Sequence, residues 1–276
     1  MVSLPDPAKT KSLSDARRQV HHAAQLATAA GISFLPKQAD DSHTNLGWVE
    51  ALGGLASHVV PAATPFSIAV RVAELEVCVL DWHNTTATVF PLHGRTIAEA
   101  ERWLRECIAD VAGEDMASKF TLARHYEIPH HAVDDGNAFD ASDRGAFAEL
   151  AAWFDLAARL LEPVRVRNDG SDIRCWPHHF DIATLMTVEP GKTVGAGLEP
   201  GDTYYDEPYF YVNANPRPPA AAARAPLAGD GSWHTHEWIG AVLPGSRIRA
   251  RDGESQITEF LDSAIVACRQ LVFNGR

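Results

Sequence analysis

The first half of the chain combines helical periodicity with short segments in which apolar residues alternate. Apolar residues recur at helical spacing over residues 20–30, which predicts a helix with Ser14 at its N-cap and Gly31 at its end. A second, short helix is expected over residues 48–55, broken at Gly53.

Alternating apolar positions follow, and they are typical of strands. Residues 66–72 and 75–80 predict two strands joined by a tight turn, and residues 86–92 predict a third. Thr96 then predicts the N-cap of a helix whose apolar face extends to Cys107.

The second half repeats this mixture of helices and strands. A helix is predicted over residues 143–161 and another over residues 257–273. Strands are predicted over residues 180–188, 209–213 and 239–243. Because helices and strands come in clusters and do not alternate strictly, we predict an α+β fold with mainly antiparallel sheet and packed helices.

Short similarities connect the two halves. Phe66-Ser67-Ile68-Ala69 resembles Phe180-Asp181-Ile182-Ala183, and a Pro precedes a predicted helix in each half. We therefore expect residues 1–276 to form a single globular unit with two related halves, 1–136 and 137–276. A diverged internal duplication would explain the similarities, and the sequence leaves it undecided. The low-complexity segment 216–229 fits either a lid or a plain surface insertion.

Charge and composition narrow the class of protein. The chain has 24 Lys+Arg against 36 Asp+Glu, a formal charge of −12, so it lacks the basic footprint of a nucleic-acid binder. No apolar run approaches the ~18 residues of a membrane helix. The four cysteines form no Cys-x-x-Cys pair, and the first residues lack an apolar signal region, so we expect a cytoplasmic protein.

The densest candidate chemistry lies between Trp176 and Asp181. If a strand begins at Phe180, His179 and Asp181 share one face, which suits metal ligation or general acid–base catalysis. The alternative is that His179 caps the strand and Asp181 accepts backbone hydrogen bonds.

A second candidate is the segment 232–238. His234 and His236 would share one face of a strand, a geometry common at transition-metal sites. Together with His179 and Asp181 they form the candidate metal ligands. The alternative is a loop whose histidines pack against aromatic rings. A cupin is disfavoured because Glu237 follows at once and no later histidine supplies a second motif.

The third candidate is a tyrosine-rich segment. Tyr209 and Tyr211 are predicted to share one strand face, with Phe210 on the other, so the tyrosines line either a ligand pocket or a solvated edge. Glu207 is a spare ligand or base. The candidate ligand-binding residues are Tyr209, Tyr211, Glu207, His178 and Trp176.

The remaining histidines are interpreted as solvated. His21-His22 is expected to be an exposed pair on the first helix, and the histidines of residues 125–131 are expected in a linker. The chain contains no phosphate-binding loop, dinucleotide fingerprint or Gly-x-Ser-x-Gly elbow, so no nucleotide cofactor and no ordinary hydrolase site is supported.

Four motifs, in order, resemble a family of uncharacterised, mostly bacterial proteins known only as a domain of unknown function. They are Glu127-Ile128-Pro129 with Asp134-Asp135, Phe180-Asp181-Ile182-Ala183, Gly197 to Gly201 leading to Glu207-Pro208-Tyr209-Phe210-Tyr211, and Leu243-Pro244 before the last helix. The chain departs from the family where Pro177-His178-His179 replaces its Phe-Trp. The resemblance implies an architecture but no reaction.

Two hypotheses for the function result. In the first, a cleft lined by His, Asp and Tyr binds a small polar ligand, with or without a divalent metal that would serve hydrolytic or Lewis-acid chemistry. In the second, the chain is a non-catalytic binding or assembly module whose Trp and Tyr residues form a partner surface. The sequence leaves open whether the protein is an enzyme and whether it forms a homo-oligomer.

Overall fold

The computed structural model describes residues 10–274, which form five α-helices and two antiparallel sheets. The predicted α+β class is thereby confirmed. The helices are α1 (Thr10–Phe34), α2 (Ile97–Ala112), α3 (Glu114–Ala117), α4 (Arg144–Asn168) and α5 (Gly253–Asn274).

Each sheet follows the chain closely. The first has the order β1-β2-β3-β4-β5, and the second has the order β10-β11-β9-β8-β7-β6. The strands of the first sheet are β1 (Gly47–Val49), β2 (Gly54–Ala56), β3 (Phe66–Arg71), β4 (Glu76–Asp81) and β5 (Thr86–Pro91). Those of the second are β6 (Arg174–Cys175), β7 (Ile182–Glu189), β8 (Lys192–Glu199), β9 (Tyr209–Asn215), β10 (Ser232–His234) and β11 (Gly240–Pro244).

The described chain divides into two compact units. Ser12–Ala152 and Cys175–Phe180 form what we call the N-terminal unit, and Trp153–Arg174 with residues 181–274 and 10–11 forms the C-terminal unit. The division falls inside α4 and again directly before Asp181, whereas the halves expected from the sequence meet at residue 136, inside the N-terminal unit.

The N-terminal unit is built on the first sheet. β3 and β4 are buried along nearly their whole length, and β4 contacts α2. α2 buries Ala100, Leu104 and Ile108 and begins with a capping box, in which Thr96 and Glu99 each accept a hydrogen bond from the other's backbone N–H. The predicted cap at Thr96 is confirmed.

Helix α1 is longer than its sequence pattern predicted. Ser14 and Gly31 both lie inside it, so neither is a cap or a stop. A Cβ atom at Gly31 would lie 2.2 Å from the carbonyl oxygen of His43, so this glycine permits a close backbone approach. The helix is buried on most sides, and His21 and His22 are 4% and 1% exposed, which makes the prediction of an exposed pair wrong.

The short helix expected over residues 48–55 is instead a hairpin. β1 and β2 pair with each other, and a single 3₁₀ turn, Glu50–Leu52, joins them. β2 pairs in turn with β3, at Gly54 with Arg71. The spacing of Trp48, Leu52 and Leu55 fits either structure, and the pairing of β2 with β3 decides between them.

The C-terminal unit packs α5 against β8, β9 and β11 of the second sheet. Leu198, Phe210 and Leu243 are fully buried at neighbouring register positions, and Cys268 of α5 lies against the carbonyl oxygen of Val212. Strand β8 was not predicted. Among residues 10–274, no helix combines the length and the apolar character needed to cross a membrane.

Candidate functional site

The second sheet carries two chemically different faces. Along β8 and β9, Leu198 pairs with Phe210 on one face, while Glu199 pairs with Tyr209 and Gly197 with Tyr211 on the other. The apolar face packs against α5. We call the other face the tyrosine face, and its existence confirms that Tyr209 and Tyr211 share one side of a strand.

Tyr211 is anchored to Asp181 at this face. The Tyr211 hydroxyl donates a hydrogen bond to Oδ2 of Asp181, which is 8% exposed and directly precedes β7. Burial, reinforced by the negative charge of Asp181, raises the pKa of Tyr211 well above its ordinary value. The hydroxyl therefore keeps its proton and acts as a donor.

Tyr209 forms a second pair of the same kind. Its hydroxyl donates to Oδ2 of Asp202 over 2.8 Å, while Oδ1 of Asp202 accepts from the backbone N–H groups of Tyr204 and Tyr205. Burial, followed by the charge of Glu199, raises the pKa of Tyr209 strongly. Asp202 therefore orders the loop before β9 as well as binding the tyrosine.

An aromatic cluster continues from the tyrosine face. We define it as Tyr204, Tyr205, Tyr209, His234 and Trp238. The His234 ring stacks on Trp238 with 4.4 Å between centroids, and Tyr204 meets His234 at 72° with 5.2 Å between centroids. Tyr205 lies 4.7 Å from Tyr209 between centroids, which connects the cluster to the strand.

The hydrogen bonds of His234 define its tautomer. Its Nε2 contacts the carbonyl oxygen of His236, an acceptor, so Nε2 carries the proton. Its Nδ1 contacts the Tyr205 hydroxyl at 3.0 Å. Both ring nitrogens are therefore engaged.

An open cavity of about 510 Å³ lies beside this cluster. Its lining residues are Thr203, Tyr204, Tyr205, His234, His236 and Glu237. The Tyr204 hydroxyl donates to Oε2 of Glu237 over 2.8 Å, and this bond raises the pKa of Tyr204. The lining thus combines two tyrosine rings and two imidazole rings with one carboxylate and contains no lysine or arginine.

The predicted site residues fall into both units. Asp181, Tyr209, Tyr211, His234 and His236 lie in the C-terminal unit. The structure brings Asp181 to Tyr211, and it places His234 and His236 at the cavity.

Trp176, His178 and His179 lie in the N-terminal unit, in a turn where the His178 and His179 rings are 4.4 Å apart. The prediction that a strand begins at Phe180 is wrong, because Phe180 has φ 72° and β7 begins at Ile182. His179 and Asp181 therefore do not share a strand face.

The other strand-based pairing also differs from the structure. β10 ends at His234, so His236 lies beyond the strand and the two histidines are not alternate residues of one strand. Glu207 accepts hydrogen bonds from the backbone N–H and the hydroxyl of Ser246, at 2.6 and 2.7 Å. This carboxylate fixes the 3₁₀ turn that follows β11.

The candidate metal ligands are not gathered around one point. Among residues 10–274, no group of three or more His, Cys, Asp or Glu side chains is placed to hold a metal ion. Asp181 instead accepts from Tyr211, and His234 contacts Tyr205 and the His236 carbonyl oxygen.

Several residues of the site were not singled out from the sequence. These are Asp202, Tyr204, Tyr205, Glu237 and Trp238. All five occur in the second and third candidate segments, which are residues 232–238 and the tyrosine-rich segment. Their meeting was not predictable, because loop residues have no periodicity that fixes where their side chains point.

The buried histidine of α1 belongs to a separate network in the N-terminal unit. His21 Nε2 contacts the carbonyl oxygen of Pro177 at 2.8 Å, and its ring stacks on Phe180. Gln25 donates to the same oxygen and accepts from the Tyr126 hydroxyl. Burial lowers the pKa of His21 to about 3, so its imidazole is neutral.

Comparison of the chain with known protein families, curated proteins and solved structures gives no match. The fold and the site define an α+β protein whose second sheet carries a tyrosine face beside an open aromatic cavity. Because no comparison gives a match, the function is inferred from the chemistry of that site.

Proposed function

We propose that the protein binds a small polar ligand in the open cavity beside the tyrosine face. One observation carries the proposal: three tyrosine hydroxyls on this side of the C-terminal unit each donate to a carboxylate. The pairs are Tyr204–Glu237, Tyr209–Asp202 and Tyr211–Asp181.

The buried pair is a costly way to hold a fold together. Asp181 is 8% exposed, and removing a carboxylate from water is unfavourable unless it is well hydrogen-bonded, as Asp181 is with Tyr211. A ligand site, by contrast, needs oriented polar groups among aromatic walls. We therefore interpret the pairs as an arrangement that orders a binding site: Tyr204 and Glu237 line the cavity, and Asp202 holds the loop that carries Tyr204 and Tyr205.

The cavity also offers acceptors to a ligand. Glu237 is exposed and receives the Tyr204 hydroxyl at one oxygen, whereas a carboxylate has about four acceptor positions. Thr203, the two tyrosines and the two histidines complete a lining that is partly apolar and partly polar. The proposal concerns binding and requires no metal.

The alternative function, an aromatic partner surface, has less support. Of the seven tryptophan side chains, only that of Trp82 is exposed, with 60% of its surface accessible to solvent. Interface anchors are clustered aromatic residues. Trp82 lies on the turn between β4 and β5, beside the smaller ring of His83.

A ligand screen tests the proposal. Sugars, polyols, amino acids, amines and carboxylic acids are each titrated into the full chain while its NMR spectrum and thermal midpoint are followed. We expect at least one of these classes to bind, and Tyr204→Leu to weaken that binding at least tenfold. Trp82→Leu is the matched control, because it removes an exposed aromatic residue of the N-terminal unit.

The proposal is overturned if no class binds the wild-type chain. It is equally overturned if Tyr204→Leu and Trp82→Leu bind the same ligand with the same affinity as the wild type.

A further inference from the structure

We infer that the ligand carries a methylated ammonium group, which the cavity binds between aromatic rings and a carboxylate. This inference rests on the proposed function and names the chemical class of its ligand. It is carried by two tyrosine rings, two imidazole rings and one carboxylate that line the same cavity: those of Tyr204, Tyr205, His234, His236 and Glu237.

The aromatic rings that line the cavity are steeply inclined to one another. Tyr204 and Tyr205 are inclined to His234 by 72° and 62°, with centroids 5.2 and 5.7 Å from it. Trp238 stacks on His234 and supports this ring from behind. Aromatic walls of this kind attract a cation through their negative ring faces, and they accommodate the methyl groups of a quaternary ammonium.

The charges at the cavity favour a cation. Glu237 supplies a carboxylate that Tyr204 holds in place, and both ring nitrogens of His234 are engaged, by the Tyr205 hydroxyl and the His236 carbonyl oxygen. Arg217 and Arg247 are the arginines whose charges act on Tyr204 and Tyr205, but neither lines the cavity. The formal charge of −12 adds a long-range attraction for cations.

The same lining disfavours other cations. A divalent metal prefers several convergent oxygen or nitrogen ligands, and residues 10–274 offer no such group of three. A primary ammonium donates three hydrogen bonds, whereas a methylated ammonium needs few acceptors and a wide apolar contact. One carboxylate among two tyrosine rings and two imidazole rings matches the second pattern.

Choline and its uncharged isostere 3,3-dimethylbutan-1-ol distinguish charge from shape. We expect choline to bind the full chain, as followed by NMR titration and tryptophan fluorescence, and the isostere to bind about tenfold more weakly. Glu237→Gln is expected to weaken choline binding about tenfold. Its matched control is Glu259→Gln on α5, an exposed carboxylate outside the cavity, which leaves the affinity unchanged.

Two substitutions at Tyr204 separate the ring from the hydroxyl. Tyr204→Phe keeps the aromatic face and is expected to retain choline binding within about threefold, whereas Tyr204→Leu loses at least tenfold. A variant that does not fold is recognised by its NMR spectrum, and the choline–isostere comparison on the wild-type chain still decides the inference.

The inference is overturned if choline does not bind, or if the isostere binds as tightly as choline. If an uncharged polar molecule then binds the cavity in a Tyr204-dependent way, the proposed function stands and only the ligand class was wrong. If no molecule of any class binds, both fail.

Discussion

Gly197 lies beneath the Tyr211 hydroxyl, and the absence of a side chain there is what lets the Tyr211–Asp181 pair form. A Cβ atom at this position would be 2.9 Å from the hydroxyl oxygen and 2.6 Å from the carbonyl oxygen of Ile182. Both contacts are closer than van der Waals packing permits, and the second is with rigid backbone.

We therefore expect Gly197→Ala to lower the free energy of unfolding by about 1–3 kcal/mol, as overpacking of a close-packed site does. Urea denaturation measures this change. The control is Gly145→Ala in α4, where the nearest atom to a new Cβ is an Asp143 side-chain oxygen at 3.4 Å. An equal effect of the two substitutions would contradict the steric role of Gly197.

His21 makes stability depend on pH, because its pKa is about 3 in the folded chain against 6.5 in the unfolded chain. Below pH 6.5 the His21 imidazole is protonated in the unfolded chain but stays neutral in the folded chain. The contribution of His21 to stability is therefore fully present above pH 6.5 and is lost as the pH falls toward 3. Burial also lowers the pKa of His22, which acts in the same direction.

Between pH 6.5 and pH 5 we expect His21 to account for a loss of about 2 kcal/mol in the free energy of unfolding. Urea denaturation of the wild type and of His21→Gln across this range measures it, and the variant should show a shallower slope. Parallel curves for the two proteins would refute the assignment.

At the scale of the element, the structures predicted correctly are those whose signals are local. The α2 cap is one, since Thr96 and Glu99 are three residues apart and bond to each other's backbone. The β3–β4 pair is another, because alternation over two adjacent segments specifies both strands.

The capping box supports a prediction about coupling. Thr96→Ala is expected to destabilise the chain by about 1 kcal/mol. Because the two bonds are reciprocal, Thr96→Ala combined with Glu99→Ala should cost less than the sum of the single substitutions. Denaturation of the two single variants and the double variant measures the coupling, and strict additivity would show that the box does not act as a unit.

The elements that sequence reasoning missed depend on distant partners. β8 contains Gly195 and Gly197, which lower strand propensity, yet it lies between β7 and β9 and pairs with both. The exposed pair predicted at His21 and His22 failed for a similar reason. Both rings are buried, and each contacts a backbone carbonyl oxygen far away in sequence, that of Pro177 or Pro129, which compensates for the lost water.

For the whole molecule, clustering of helices and strands was enough to predict the fold class but not the arrangement of the site. The sequence marked the segments around Asp181, Tyr209 and His234, and it paired their residues by strand spacing. The structure pairs them across strands and loops, as with Tyr211 and Asp181 or Tyr205 and His234. Contacts of this kind depend on the register between strands and on the path of each loop. Neither can be derived from a local sequence pattern.

The cysteines provide a test of the packing of both units. Cys78 lies in the N-terminal unit and Cys268 in the C-terminal unit, and both are buried free thiols. Burial raises the pKa of Cys78 to about 11 and that of Cys268 to about 12, so the reactive thiolate is scarce at neutral pH.

A thiol reagent should therefore modify Cys78 and Cys268 in the native chain far more slowly than in urea, with rates that follow unfolding. Mass spectrometry after timed labelling measures each site separately. Cys107, which is only half-buried on α2, provides an internal comparison and should react first. Rapid native labelling of Cys78 would show that the first sheet opens locally, and rapid labelling of Cys268 would show the same for the contact of α5 with the second sheet.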